Sequence, residues 1–140
     1  MMDIQMCIQL ASDGSRRECR STALELGSLA AAGDANKQAI MDHGGVAALL
    51  SLALRDDPQT VRFAVEAITE MLALPTCREP FVHAGCIRCL LAVSHTAATS
   101  TSAVVAVALH YLVREEANCL QLADSGGLNE LTKLALRPGL

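Results

Sequence analysis

Asn36-Lys37-Gln38-Ala39-Ile40-Met41-Asp42-His43-Gly44-Gly45-Val46 is the stretch on which the reading of this chain turns. A short amphipathic segment runs into a glycine pair and reopens at once on an apolar run, Val46-Ala47-Ala48-Leu49-Leu50. The spelling returns twice, as Ala84-Gly85-Cys86-Ile87-Arg88-Cys89-Leu90-Leu91 and as Ser125-Gly126-Gly127-Leu128-Asn129-Glu130-Leu131. The leading glycines, Gly44, Gly85 and Gly126, are 41 residues apart both times. Ile40, Phe81 and Leu122 stand four residues before them, and Leu52, Val93 and Leu134 stand eight residues after. Glycines at a common spacing are weak evidence alone. Apolar positions kept in the same register on both sides of them establish an internal repeat.

Each period reads as three helices. The first is short, running through Asn36–Asp42 with counterparts at Arg78–His83 and Cys119–Asp124, and it stops at a glycine that tolerates positive φ. The second, about Val46–Leu54, places Val46, Leu49, Leu50 and Ala53 on one face. Arg55-Asp56-Asp57-Pro58 then marks a helix start, with Asp57 able to cap and Pro58 in the first turn, where no amide donor is needed. The third helix carries Val61, Ala64, Val65, Ile68 and Leu72 as an apolar stripe. Ser15-Arg16-Arg17-Glu18 spells a capping box ahead of an earlier third helix with Ala23, Leu26 and Leu29, and Val104–Val113 is a later one. The step from Leu29 to Met71 is 42 residues and from Met71 to Leu112 is 41, so one extra residue is expected in the loop around Ala32–Ala35.

Composition points the same way. Of 140 residues, 51% are hydrophobic and 19% charged, which excludes a disordered tail, and 23 Ala with 21 Leu suit close-packed helices. Aromatics are 2% (Phe63, Phe81 and Tyr111, with no Trp), which argues against sandwiches and barrels and leaves few rings for stacking nucleobases. A net charge of −4 and a pI near 5.5 give no basic footprint for nucleic acid or an anionic membrane. The first residues lack the basic and apolar regions of a secretory signal, and the longest charge-free stretch, Ser94–Val113, is too polar to span a bilayer. Six cysteines (7, 19, 77, 86, 89 and 119) in a chain long enough to fold without disulfides fit a reduced, cytoplasmic setting, with the nucleus as the other option.

The run Asn36–Val46, with its three-helix period of 41 residues, resembles the signature of armadillo repeats, and the resemblance covers about Ile4 to Arg137. HEAT repeats share the period but normally have two helices and no glycine-marked first break. The resemblance implies an all-α, right-handed solenoid in one domain: a partial repeat at 1–33, full repeats at about 34–74 and 75–115, and a partial repeat at 116–140. Ile4 and Ile8 at one end, and Leu131 and Leu134 at the other, read as faces that expect a neighbour, as in a piece of a longer solenoid.

No catalytic constellation is legible. His43, His83, His95 and His110 occupy different repeat positions without a nucleophile at motif spacing, and the glycine pairs are not phosphate loops. Cys77, His83, Cys86 and Cys89 form the one metal-like cluster. Cys86 and Cys89, however, fill repeat slots held elsewhere by Gly45 and Ala48, where a small side chain is what packing requires, so no metal or other cofactor is expected.

The armadillo resemblance implies function on the inner groove, where successive third helices hold an extended partner segment. Importin alpha and its relatives place a Trp there and an Asn four residues on. The matching slots here hold Glu66 and Glu70, Leu24 and Ser28, and Val107 and Tyr111, so that ladder is absent. Arg62, Glu66 and Glu70 share a helix face and suggest a basic or mixed-charge partner, with Tyr111 as an anchor and Leu24 and Val107 as apolar flanks. The leading expectation is a non-enzymatic protein-interaction scaffold. The second is an assembly module that self-associates through its apolar ends.

Overall fold

The computed structural model describes residues 3–124, the Glu116 side chain apart. Among the described residues every regular element is a helix: α1 (Ile4–Asp13), α2 (Arg16–Ala32), α3 (Asp34–Asp42), α4 (Gly45–Ala53), α5 (Pro58–Leu72), α6 (Pro75–His83), α7 (Cys86–Thr96), α8 (Thr99–Leu112) and α9 (Glu116–Asp124). The starts of α2 and α5 are those the sequence spells, while α8 begins at Thr99, ahead of the expected Val104. Asp3 caps α1 through Met6 N, and Ser15 and Glu18 close a reciprocal capping box on α2. Asp57 caps α5, whose first residue is Pro58.

The glycine breaks have two physical causes. Gly44 and Gly85 adopt left-handed φ of 84° and 97°, a region costly to any residue with a Cβ. Gly45 has ordinary φ but lies so close to Ile40 that a Cβ would collide with its carbonyl and side chain. One repeat on, that slot holds Cys86, which is fully buried.

The third helices α2, α5 and α8 stack in one layer, with α5 packed on α2 most extensively and then on α8. Behind them α1, α4 and α7 form a second layer, each packed on the third helix of its own repeat, and the short α3 and α6 join the two. The core between the layers repeats as the sequence does. Leu26, Ile68 and Leu109 are equivalent positions with no exposure, and Ile40, Phe81 and Leu122 are another buried set. Such side chains contribute about 1.5–3 kcal/mol each on burial.

The extra residue expected in the loop around Ala32–Ala35 lies instead in α2. That helix runs 17 residues against 15 for α5, and only Gly33 separates it from α3. The alanine run Ala30-Ala31-Ala32 favours continuing the helix over opening a loop. The first helices of the period also begin earlier than the apolar pattern alone indicates, at Asp34 and Pro75.

Two charged ties fasten the second repeat to the first. Arg20 Nε and Nη2 donate to the two carboxylate oxygens of Asp57, each at 3.0 Å. Arg55 Nη2 donates to the carbonyls of Ala11 and Ser12, at the C-terminus of α1. Arg20, then Thr60, hold the Asp57 carboxyl down to about 2. A carboxylate depressed on folding contributes stability that is complete above its unfolded value, about 4, and is lost as pH falls through the folded one. Asp57→Ala should therefore lower the Tm by several degrees at pH 7, with the deficit shrinking between about pH 4 and about pH 2. Thermal melts across that range check it, and a deficit independent of pH would contradict it.

Candidate functional site

The exposed face of the third-helix layer carries an open crevice of about 330 Å3 between α2 and α5. From α2 come Leu24, Gly27, Ser28 and Ala31, and from α5 come Phe63, Glu66, Thr69 and Glu70, with Val104 of α8 closing one side. Helical spacing explains the grouping, because positions three, four and seven apart share a face. The floor is set by a close approach of backbones. A Cβ built on Gly27 would stand 3.5 Å from the Cβ of Ala67 and 3.7 Å from its Cα.

The crevice is apolar at its base and acidic at one wall. Leu24 stays 51% exposed, and Phe63 is half-buried against the core. Arg62 Nε donates to Glu66 Oε1 at 3.1 Å, and both side chains are well exposed. Such a pair on one helix is worth a few tenths of a kcal/mol, so Glu66 is easily recruited by another cation. Glu70 is exposed and has no ion pair among the described residues. Thr69 donates its hydroxyl back to the Val65 carbonyl at 2.8 Å.

Of the residues singled out by sequence, Leu24, Ser28, Glu66 and Glu70 line the crevice together, and Arg62 sits beside it on α5. Val107 and Tyr111 lie on α8 outside it. Val107 is exposed, while the Tyr111 ring has the guanidinium carbons of Arg78 and Arg114 each 5.4 Å from its centre. Arg78 is itself buried and donates Nε to the Leu72 carbonyl at 2.8 Å, so the Tyr111 ring packs beside a side chain that closes the α5 C-terminus. Ile4 and Ile8 are half-buried and packed on the core, leaving Met6 as the exposed large apolar side chain of α1. Leu131 and Leu134 lie outside the described residues.

Phe63, Gly27, Ala31 and Val104 join the lining from outside the slots that the repeat register marks. Phe63 was within reach, since it stands three residues before Glu66 and seven before Glu70. Gly27 was not, because a glycine inside a helix carries no pattern until the neighbouring helix is in place.

The cysteine cluster behaves as packing. Cys77, Cys86 and Cys89 are buried, and burial pushes the Cys89 thiol up to about 11 and raises Cys77 and, further, Cys86. His83 is exposed, and among the described residues no three His, Cys, Asp or Glu side chains converge to hold a metal. All six cysteines are free thiols. No helix among the described residues is long and apolar enough to cross a membrane.

Solved structures decide the architecture. A computationally designed armadillo repeat protein for modular peptide recognition superposes with a TM-score of 0.90 over 99% of this chain, at 18% identity. The chain has the armadillo-repeat fold. A designed armadillo repeat protein in complex with the peptide (KR)4 gives a TM-score of 0.89 over 99% of the chain at 18% identity, and another designed member gives 0.86 over 94% at 19%. The chain spans 59%, 59% and 56% of the lengths of these three armadillo proteins. No family model and no curated protein matched the sequence.

In armadillo terms the crevice lies on the layer of third helices, and Gly27 sets its depth. The Gly27 backbone is right-handed helical and its Cβ position is in ordinary van der Waals range, so Gly27→Ala should stabilise the protein by up to about 1 kcal/mol through helix propensity. Denaturant unfolding checks this, and a loss of stability would contradict it.

Proposed function

We propose that this armadillo-repeat chain is a non-enzymatic scaffold that binds an extended basic or mixed-charge segment of a partner protein along its third-helix layer. The observation that carries the reading is the acidic wall of the α2–α5 crevice, where Glu70 is unpaired among the described residues and Glu66 is held by one exposed arginine. A lysine or arginine of the partner could lay its alkyl stem against Leu24 and Phe63 while its charged head meets the carboxylates. Complementary charge of this kind raises association rate and selects the partner more than it raises affinity. Support also comes from the designed armadillo protein solved with (KR)4, a repeat scaffold of the same fold holding a basic peptide. The Trp and Asn ladder of importin alpha has no counterpart in the slots of Glu66 and Glu70, so the wall carboxylates, not a backbone-fixing ladder, would hold the peptide.

The test uses a fluorescein-labelled alternating Lys-Arg octapeptide as probe. It should bind the wild-type chain with an affinity that falls as salt rises. The double reversal Glu66→Lys with Glu70→Lys should weaken binding by about tenfold or more while moving the Tm by no more than about 2 °C, since both side chains are solvated. Equal binding by the reversed protein would overturn the crevice as the binding surface. Self-association in place of peptide binding, seen as a mass that grows with protein concentration and is abolished by Met6→Lys, would favour the assembly reading instead.

A further inference from the structure

The two inter-repeat junctions are built on one frame, and the difference between them defines a site. At the first junction a cavity of about 150 Å3 is lined by Arg16, Cys19, Asp57 and Thr60 among others. At the second a cavity of about 500 Å3 is lined by Pro58, Val61, Ala98 and Thr101, the same four positions one repeat on. At the first junction a carboxylate stands on the cavity wall beside Thr60. Asp57 accepts from Arg20 Nε and Nη2, and its Oδ2 also accepts from the Thr60 amide at 3.1 Å and hydroxyl at 2.7 Å.

At the second junction the donors recur and the acceptor does not. Arg62 occupies the place of Arg20, each five residues past the cap of its helix, and Thr101 occupies the place of Thr60. Ala98 stands where Asp57 would, and α8 has no side-chain cap. Thr101 is only 5% exposed, and its hydroxyl makes no hydrogen bond among the described residues, although it lines the cavity. Arg62, with no acceptor across the junction, lies along its own helix against Glu66 with its side chain 52% exposed, a pairing weak enough to exchange. Arg55 and Asp56 also line this cavity and offset each other in charge, with Arg55 already committed to the Ala11 and Ser12 carbonyls.

We propose that the second junction is a carboxylate-binding site, completed by an Asp or Glu side chain of the partner segment, which supplies in trans what Asp57 supplies in cis. The inference rests on the crevice reading for the path of that segment. Arg62 stands between the two places, since Val61 lines the cavity and Phe63 and Glu66 line the crevice. A guest carboxylate that draws Arg62 across the junction releases Glu66, so both wall carboxylates then face the partner's cations. Capture of the acid and capture of the base are therefore coupled, and the site selects a mixed-charge segment over a purely basic one.

Two arms test this. In cis, Ala98→Asp should raise the Tm by about 3 °C or more, and by more than Ala98→Asn, which restores only the cap. Arg62→Ala should erase the advantage of Asp over Asn; no such advantage in the Arg62 background would overturn the donor set. In trans, a labelled (Lys-Gln)4 octapeptide is compared with its four variants carrying one Gln-to-Glu change. One variant should bind the wild type about threefold tighter or better, and that preference should vanish in Ala98→Asp and in Arg62→Gln. Equal affinities for all five peptides, or a preference that survives Ala98→Asp, would overturn the carboxylate site alone. Failure of all five to bind would overturn the crevice reading and this one with it.

Discussion

α5 is packed along one flank by α2 and along the other by α8, and this stacking of third helices is the constraint on which the rest of the structure depends. A single repeat cannot cover its own apolar face, so stability comes from neighbour on neighbour. The demand is felt residue by residue. Leu26, Ile68 and Leu109 must all be apolar, and Gly45 must leave room for Ile40. The crevice follows from the same packing. Where α2 and α5 meet over Gly27 and Ala67, the side chains that flank the contact become the walls of a furrow.

The junctions between repeats are not equal, and that inequality gives the chain its character. Between the first and second repeats, Arg20–Asp57 and the Arg55 contacts to α1 carbonyls fasten the α4–α5 loop to α2 and α1. Between the second and third, Ala98 and Thr96 stand at the places of Asp57 and Arg55, and α8 packs less extensively on α5 than α2 does. A bidentate guanidinium pair is geometrically demanding, and removing its acceptor frees the donor for other work. Arg62 pairs with Glu66 along its own helix, and α8 has no side-chain cap.

Much of the fold was legible in the sequence because repetition supplies its own controls. Three glycine breaks in register with Ile40, Phe81 and Leu122 carry more information than any propensity, and Asp57-Pro58 and Ser15-x-x-Glu18 name their helix starts outright. Helix ends were less legible, since Ala30-Ala31-Ala32 has no breaker until Gly33 and the extra residue went into helix. The site was legible in part. Helical spacing brings Glu66 and Glu70 to one face, and Leu24 and Ser28 hold the same slots one repeat earlier. Tyr111 has that spacing too, but Arg78 from the preceding first helix lies against its ring, a contact between residues 33 apart that no local pattern announces.

The most direct test of the third-helix layer as the binding surface is amide chemical-shift mapping of the labelled protein during titration with the alternating Lys-Arg octapeptide. Saturable shifts concentrated at residues 24–31 and 63–70, continuing to 104 on α8, are the predicted result. Shifts concentrated on α6 at 75–83, or spread without saturation over the whole chain, would contradict it.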